Sequence, residues 1–173
     1  MALSIGDVVL RGINFAFLVI IIGLSGSLAA TTISQHNPQV NYVIFAGAFG
    51  ILFSSIYGLL AYFIEILAWP ALLVTLDFLN TVFTFAGGCA LAAAIRCHSC
   101  TNSSYLSSNK VAQGSTDRCR KAQATVAFLY FSFFVFLISL IFQIISLIKN
   151  GAFGFRTSTK RAPSTGVPTM TQV

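Results

Sequence analysis

Residues 71–95 read ALLVTLDFLNTVFTFAGGCALAAAI, an apolar stretch of 25 positions in which Asp77 is the one charged side chain. A hydrocarbon core of about 30 Å takes roughly 20 helical residues at 1.5 Å rise, so the stretch is long enough to cross a bilayer. Three further runs share its length and character: Ile13 to Ala30, Val40 to Ile64 and Ala122 to Ile148. Lipid offers backbone groups no water to bond, which restricts spans to helices or closed barrel strands. The runs are continuous rather than alternating and far exceed the roughly 10 residues of a barrel strand, so the sequence predicts four spanning helices. Composition agrees: of 173 residues, 56% are hydrophobic and 8% charged, against about a quarter charged in a soluble domain. The fold class is all-α, an integral-membrane four-helix bundle over residues 1–148, with helices expected near 9–30, 41–64, 70–95 and 122–148. A tail at 149–173, rich in Gly, Ser, Thr and Pro, has a composition expected to stay disordered.

The first run also invites a reading as a cleaved signal peptide, since Ser27-Leu28-Ala29 loosely fits a small-x-small site. It exceeds the usual hydrophobic region of about 7 to 15 residues, Asp7 precedes Arg11, and Asn14 interrupts it, so it is read as a retained helix. The formal charge of +6 lies mostly outside the spans. Five basic residues, Arg96, Lys110, Arg118, Arg120 and Lys121, fall in the third loop; five, Arg11, Lys149, Arg156, Lys160 and Arg161, fall on the opposite side, so the positive-inside rule ties.

Cys97, Cys100, Cys119 and the sequon Asn102-Ser103-Ser104 favour placing the Arg96 to Lys121 loop outside, where a disulfide and glycosylation of Asn102 are both permitted. Of the pairings these cysteines allow, Cys100 with Cys119 is favoured, because Cys97 lies nearest the membrane and can instead be a free or lipidated thiol; Cys97 stays open as an alternative partner. A zinc site from Cys97, His98, Cys100 and Cys119 has poor spacing and needs reduced thiols. No metal and no cofactor is expected.

Helices 2 and 3 are joined only by Glu65 to Pro70 and must form an antiparallel hairpin, with Pro70 in the first turn of helix 3 and Trp69 at headgroup level. Ala46, Gly50, Ser54 and Gly58 recur every four residues on helix 2, Thr84, Gly88 and Ala92 do so on helix 3, and Thr125, Ser132, Ser139 and Ser146 lie at heptad spacing on helix 4. Cys89 reads as another small packing residue. Lipid supplies no hydrophobic drive between helices, so such stripes mark close backbone approach. Packing within one chain is the plain expectation, a homo-oligomer face the sharper one.

Polar residues inside the runs are fewer. Arg11 and Asn14 lie three positions apart on helix 1, Asp77 and Asn80 three apart on helix 3, and both helices start from the same side, so the pairs sit at similar depth. An ionised group there costs several kcal/mol unless it snorkels or is paired. An Arg11–Asp77 ion pair is expected, with Asn14 and Asn80 completing a polar cluster one turn deeper. Fixing helix packing is its expected role. A proton or ion pathway is the other reading; a transporter is expected to show a broken helix at mid-membrane, for which Gly87-Gly88 is the only, weak candidate in the sequence.

In the tail, Arg156, Lys160 and Arg161 interleave with Ser158 and Ser164, and each basic residue near an anionic leaflet is worth about 1 kcal/mol that phosphorylation would erode, which makes an electrostatic switch a candidate. Thr171-Gln172-Val173 resembles a ligand for domains that capture carboxyl termini by strand addition. Enzyme chemistry finds no support: His36 and His98 are both in loops, and no Ser, His and acid set shares a depth. No glycine loop cradles a phosphate, and the basic loop lacks a fold that presents it to nucleic acid.

Glu65-Ile-Leu-Ala-Trp-Pro70, Thr75-Leu-Asp77-Phe-Leu-Asn80 and Phe83-Thr-Phe-Ala-Gly87 together resemble the fungal non-classical export protein 2 family of MARVEL-domain tetraspans. So do Ile95-Arg96, His98-Ser-Cys100, Asn102-Ser-Ser-Tyr105, Asn109-Lys110, Gln113-Gly-Ser115, Arg118-Cys-Arg120, Ala127-Phe-Leu-Tyr-Phe131, Asn150-Gly-Ala-Phe-Gly154 and Gly166-Val-Pro168. The resemblance runs from one end of the chain to the other. It implies a multi-pass plasma-membrane protein with cytosolic termini, resident in the eisosome-associated compartment, where such proteins help organise furrow-like domains and respond to sphingolipid. Partners implied are membrane lipids (sphingolipid and sterol) and eisosome scaffold proteins. The expected function is a non-enzymatic organiser; the alternative is a component of transport or non-classical export that uses the intramembrane polar cluster. The family supplies no catalytic residues.

Overall fold

A computed structural model of the chain describes residues 5–33, 37–64, 67, 69–96 and 98–150. The elements in order are α1 (Ile5–Ala30), α2 (Pro38–Gly50), a π-helical segment (Ile51–Ile56), α3 (Tyr57–Phe63), α4 (Pro70–Ile95), α5 (Ser103–Ser108) and α6 (Thr116–Asn150). α2, the π segment and α3 run on as a single span, Pro38–Phe63; with α1, α4 and α6 this makes four helices long and apolar enough to cross a membrane. Pro38 and Pro70 each open a helix, where the missing N–H is one that would be unsatisfied anyway.

Around the bundle, α1 packs on α2 and α6, and α4 packs on the same two, which sets α1 and α4 on the diagonal. The interior has two halves. Toward the loops lies an apolar core of Leu18, Ile21, Leu28, Val40, Val43, Leu91, Ile95, Ala122 and Leu129, closed below by Phe136. Toward the chain termini the diagonal is bridged by polar side chains instead.

Two boundaries differ from expectation for one reason. α6 begins at Thr116 rather than near 122, and α1 is helical from Ile5 rather than from 9. Both early turns carry charges, Asp117, Arg118, Arg120 and Lys121 in one and Asp7 in the other, so hydropathy stops short of them. One charge of each turn, Asp7 and Arg118, is nevertheless held inside the fold, whereas Asp117 and Arg120 face outward. Arg118, only 4% exposed, donates to the carbonyls of Val111 (3.0 Å) and Leu28 (2.9 Å) and to the hydroxyl of Thr31. It is a cation seated at the carboxyl end of α1, where free carbonyls and the helix dipole favour one. Arg118→Met should therefore cost about 2–3 kcal/mol, the range for charged hydrogen bonds lost from buried carbonyls. Chemical unfolding in detergent checks this; a loss under about 0.5 kcal/mol, typical of a surface site, would contradict the capping role.

The third loop is ordered around a small core of its own, Cys100, Tyr105, Leu106, Ala112 and Cys119. Cys100 and Cys119 are disulfide-bonded, with Cα atoms 5.7 Å apart. Asn102 caps α5, its Oδ1 accepting from the N–H groups of Ser104 (3.1 Å) and Tyr105 (3.3 Å). Asn109 ties the loop to the bundle: its amide donates to the Ala94 carbonyl at 2.9 Å, while its Oδ1 accepts from Val111 and Ala112. Closing a loop of this length restricts the unfolded chain by about 3 kcal/mol in the chain-entropy picture. Cys119→Ser should lose about that much, and reduction of the wild type should lower its unfolding midpoint to that of the variant. A midpoint indifferent to reductant would refute the staple.

Candidate functional site

Arg11 occupies the centre of the polar half. Its Nε lies 3.0 Å from Asp7 one turn earlier on α1, and its Nη2 lies 3.1 Å from Asp77 on α4. Nη1 donates to the carbonyl and the hydroxyl of Ser54 in the π segment, at 2.9 and 3.2 Å. From α6, the Ser139 hydroxyl lies 2.9 Å from Asp7 and 3.0 Å from Asp77, bridging the two carboxylates, and the Gln143 amide donates to Asp77 at 2.6 Å. Asp7, Arg11, Ser54, Asp77 and Ser139 are all buried. One guanidinium thus connects α1, α4 and the π segment, and the carboxylates carry the connection on to α6.

The π segment explains how a guanidinium fits here. An i→i+5 turn widens the helix and takes carbonyls out of the regular ladder, and such turns recur at functional positions. The Ser54 carbonyl points its lone pair at Arg11. Across the same turn stands Gly58: a Cβ built there would lie 2.5 Å from Nη1 and 2.8 Å from Cζ of Arg11. Glycine leaves the room in which the charge lies flat against the second span.

Other predicted residues make separate contacts. Asn14 accepts from Ser132 of α6 at 2.6 Å, and Asn80 donates to the Leu76 carbonyl of its own helix at 2.9 Å, so neither is hydrogen-bonded to the Arg11–Asp77 pair. Their places beside the pair are taken by Asp7, Ser54, Ser139 and Gln143. Asp7 had a signal, since it precedes Arg11 by one turn. Ser54 and Ser139 stood in the small-residue stripes, where their size was legible but not the direction of their hydroxyls. Gly87-Gly88 does not break α4, which is continuous from Pro70 to Ile95. The two glycines admit Tyr42, Val43 and Tyr130 instead, and the irregular turn belongs to the second span.

The stripe Ala46, Gly50, Ser54 and Gly58 is buried within the chain, with Gly50 against Leu18 and Gly58 against Arg11. Gly88 is buried and Ala92 half-buried. Asn102 is exposed, and Cys89 is a free thiol 3.6 Å from the Tyr130 hydroxyl. Cys97 and the tail residues Arg156, Ser158, Lys160, Arg161 and Ser164 lie outside the described residues. Among the described residues no group of three or more His, Cys, Asp and Glu side chains could hold a metal ion.

The fold and its interior define a class: a multi-pass membrane protein, a tetraspan bundle locked near one end by charge and stapled by a disulfide in the loops at the other. The model of a membrane-associating domain, MARVEL, matches residues 4–142. Non-classical export protein 102 of Candida albicans is 63% identical over 171 residues, and non-classical export protein 2 of Saccharomyces cerevisiae 55% over 173, each alignment covering 99% of both chains. A Schizosaccharomyces pombe homologue is 36% identical over 79% of this chain and 75% of its own. No solved structure matches. The chain belongs to the non-classical export protein 2 family of MARVEL membrane proteins.

Proposed function

We propose that this protein is a non-enzymatic organiser of the plasma membrane, acting in eisosome-associated domains in response to sphingolipid, with its termini in the cytosol. The observation that carries the reading is the division between interior and surface. The intramembrane charges are turned inward and held by one another, while the surface offered to lipid is apolar and carries a row of aromatic rings. Along the second and third spans Tyr42, Phe45, Phe49, Phe53 and Phe83 form a continuous ladder with ring centroids 4.5 to 6.2 Å apart. Phe45 and Phe53 are exposed on it. Flat rings on an apolar face suit flat sterol rings and saturated chains, which pack closely against them.

Phe45→Leu with Phe53→Leu keeps the surface apolar and removes the ladder's exposed rings. The tagged variant should remain folded at the membrane yet disperse from patches into an even distribution, with its co-purified sterol and sphingolipid reduced several-fold. Patches and bound lipid that match wild type would count against the organiser reading.

A second reading, participation in transport or export, draws on the names of the relatives and on a surplus of charge: two carboxylates, Asp7 and Asp77, converge on one guanidinium. Asp77→Asn separates the two. Lost flux with intact patches favours transport, and dispersed patches with normal flux favour organisation.

A further inference from the structure

At the loop end of the bundle lies a second polar site that the intramembrane cluster does not touch. A cavity of about 840 Å³ opens between the start of α2, the carboxyl end of α4 and the loop that carries α5. Its charged lining is of one sign, Arg96 and Lys110, with His98 beside them and no Asp or Glu among the described residues. The nearest loop acid, Asp117, is held 2.7 Å from Lys121.

Three features turn this cavity toward an anion. The amino end of α2 abuts it through Pro38 and Gln39; the Asn37 carbonyl accepts from Val40 and Asn41, but no side chain among the described residues caps this positive helix end. Asn37 also lines the cavity; it is 7% exposed, and its amide nitrogen has no hydrogen-bond partner. That nitrogen is itself buried, so the side chain has to turn toward the cavity before an acceptor brought by a ligand can relieve the cost of the unpaired donor. At the opposite wall the competing acceptors are used up. The last carbonyls of α4, Ala94 and Ile95, accept from Asn109 and from the Tyr105 hydroxyl. Arg96 then turns out of the helix with φ 50°, a left-handed conformation that disfavours side chains.

We infer that this cavity binds a phosphate-bearing anion, with Arg96 and Lys110 pairing its oxygens, Asn37 donating from the helix end and His98 closing the side. Pro38, Gln39, Ala93 and Ala94 stand where spans end, which is headgroup level. The phosphodiester of an anionic lipid in the loop-side leaflet and free inorganic phosphate share the chemistry required. The lipid source rests on the organiser reading; the phosphate source does not.

The test uses the full chain in two arms. In the first, it is placed in nanodiscs of phosphatidylcholine with and without phosphatidylinositol, and retained lipid is read by native mass spectrometry. In the second, it is held in a phosphate-free, non-ionic detergent and melted with and without inorganic phosphate. Arg96→Gln with Lys110→Gln should cut retained phosphatidylinositol about tenfold or more, as expected for losing two charge-assisted contacts. Arg120→Gln, an exposed basic residue off the cavity, should retain it. An unchanged melting temperature without ligand and an intact Cys100–Cys119 bond show that the variants fold. If phosphate raises the melting temperature of the wild type but not of the double variant, while lipid retention ignores both substitutions, the ligand is the free ion and the site stands. If neither probe distinguishes the double variant from Arg120→Gln, the inference is overturned.

Discussion

Arg11→Met should lower the unfolding free energy of the bundle by about 3–5 kcal/mol, the cost of leaving a buried charge without its counter-ion. The substitution keeps the unbranched stem and most of the volume of the side chain while ending short of the guanidinium, so packing alone predicts a smaller change. What it removes are the bonds from one guanidinium to Asp7, Asp77 and Ser54. Two carboxylates then face each other across Ser139 in a medium that screens poorly. Unfolding by a denaturing detergent, with the full chain in mixed micelles, measures the loss. Neutralising the whole triad with Asp7→Asn, Arg11→Met and Asp77→Asn should recover most of it, because a buried charge network replaced by neutral groups is often close to neutral in energy. The charge swap Arg11→Asp with Asp77→Arg should recover little, since it sets Asp7 one turn from a new carboxylate. A single Arg11→Met variant as stable as wild type would mean that the guanidinium does not hold the diagonal together.

The second large effect comes from one added methyl group. Gly58→Ala places a carbon 2.5 Å from Nη1 of Arg11, closer than any stable contact allows. Guanidinium groups at the end of long chains usually step aside cheaply, but this one is bonded on three sides and cannot move without breaking its bonds to Ser54. A loss of about 2 kcal/mol is expected, even though alanine is the better helix former by up to about 1 kcal/mol. The double-mutant cycle makes the cause visible. With Arg11→Ala in the background the obstacle is gone, and Gly58→Ala should become neutral or slightly stabilising, giving an interaction energy of about 2 kcal/mol between positions 11 and 58. Equal costs in both backgrounds would place the strain in the backbone of the π segment rather than in the contact.

These two experiments show which parts of the site were legible in the chain. Arg11 and Asp77 announce themselves, because one is an ionised group inside the first turn of the expected first helix, the other interrupts an apolar run, and they lie at matching depth on helices that start from one side. Asp7 is as close to Arg11 in sequence as a helical turn permits, yet it sits in a segment polar enough to pass for a chain end. Ser54, Ser139 and Gln143 could not be assigned from spacing. A serine on a helix reads as small whether its hydroxyl returns to its own backbone, as Ser25 does to Ile21 at 2.6 Å, or crosses to another helix, as Ser139 does. Arg118 shows the same limit at the other end: counted as a loop charge, it is buried as the cap of a helix some ninety residues earlier in the chain.

By itself, the sequence determined the number of the spans and their apolar stretches, the tight turn that makes the second and third antiparallel, and the opposite charges of Arg11 and Asp77 at matching depth. These are local properties: hydropathy, helical rise and the cost of an ion in hydrocarbon act on each segment wherever its neighbours stand. Only the tertiary structure decided which helices share an edge and which a diagonal, where the second span opens into a π turn, and which polar groups close around Arg11. Those depend on directions that a linear order does not carry. A side chain's partner inside a bundle is chosen by the angle at which it leaves its helix and by the glycine that makes room opposite.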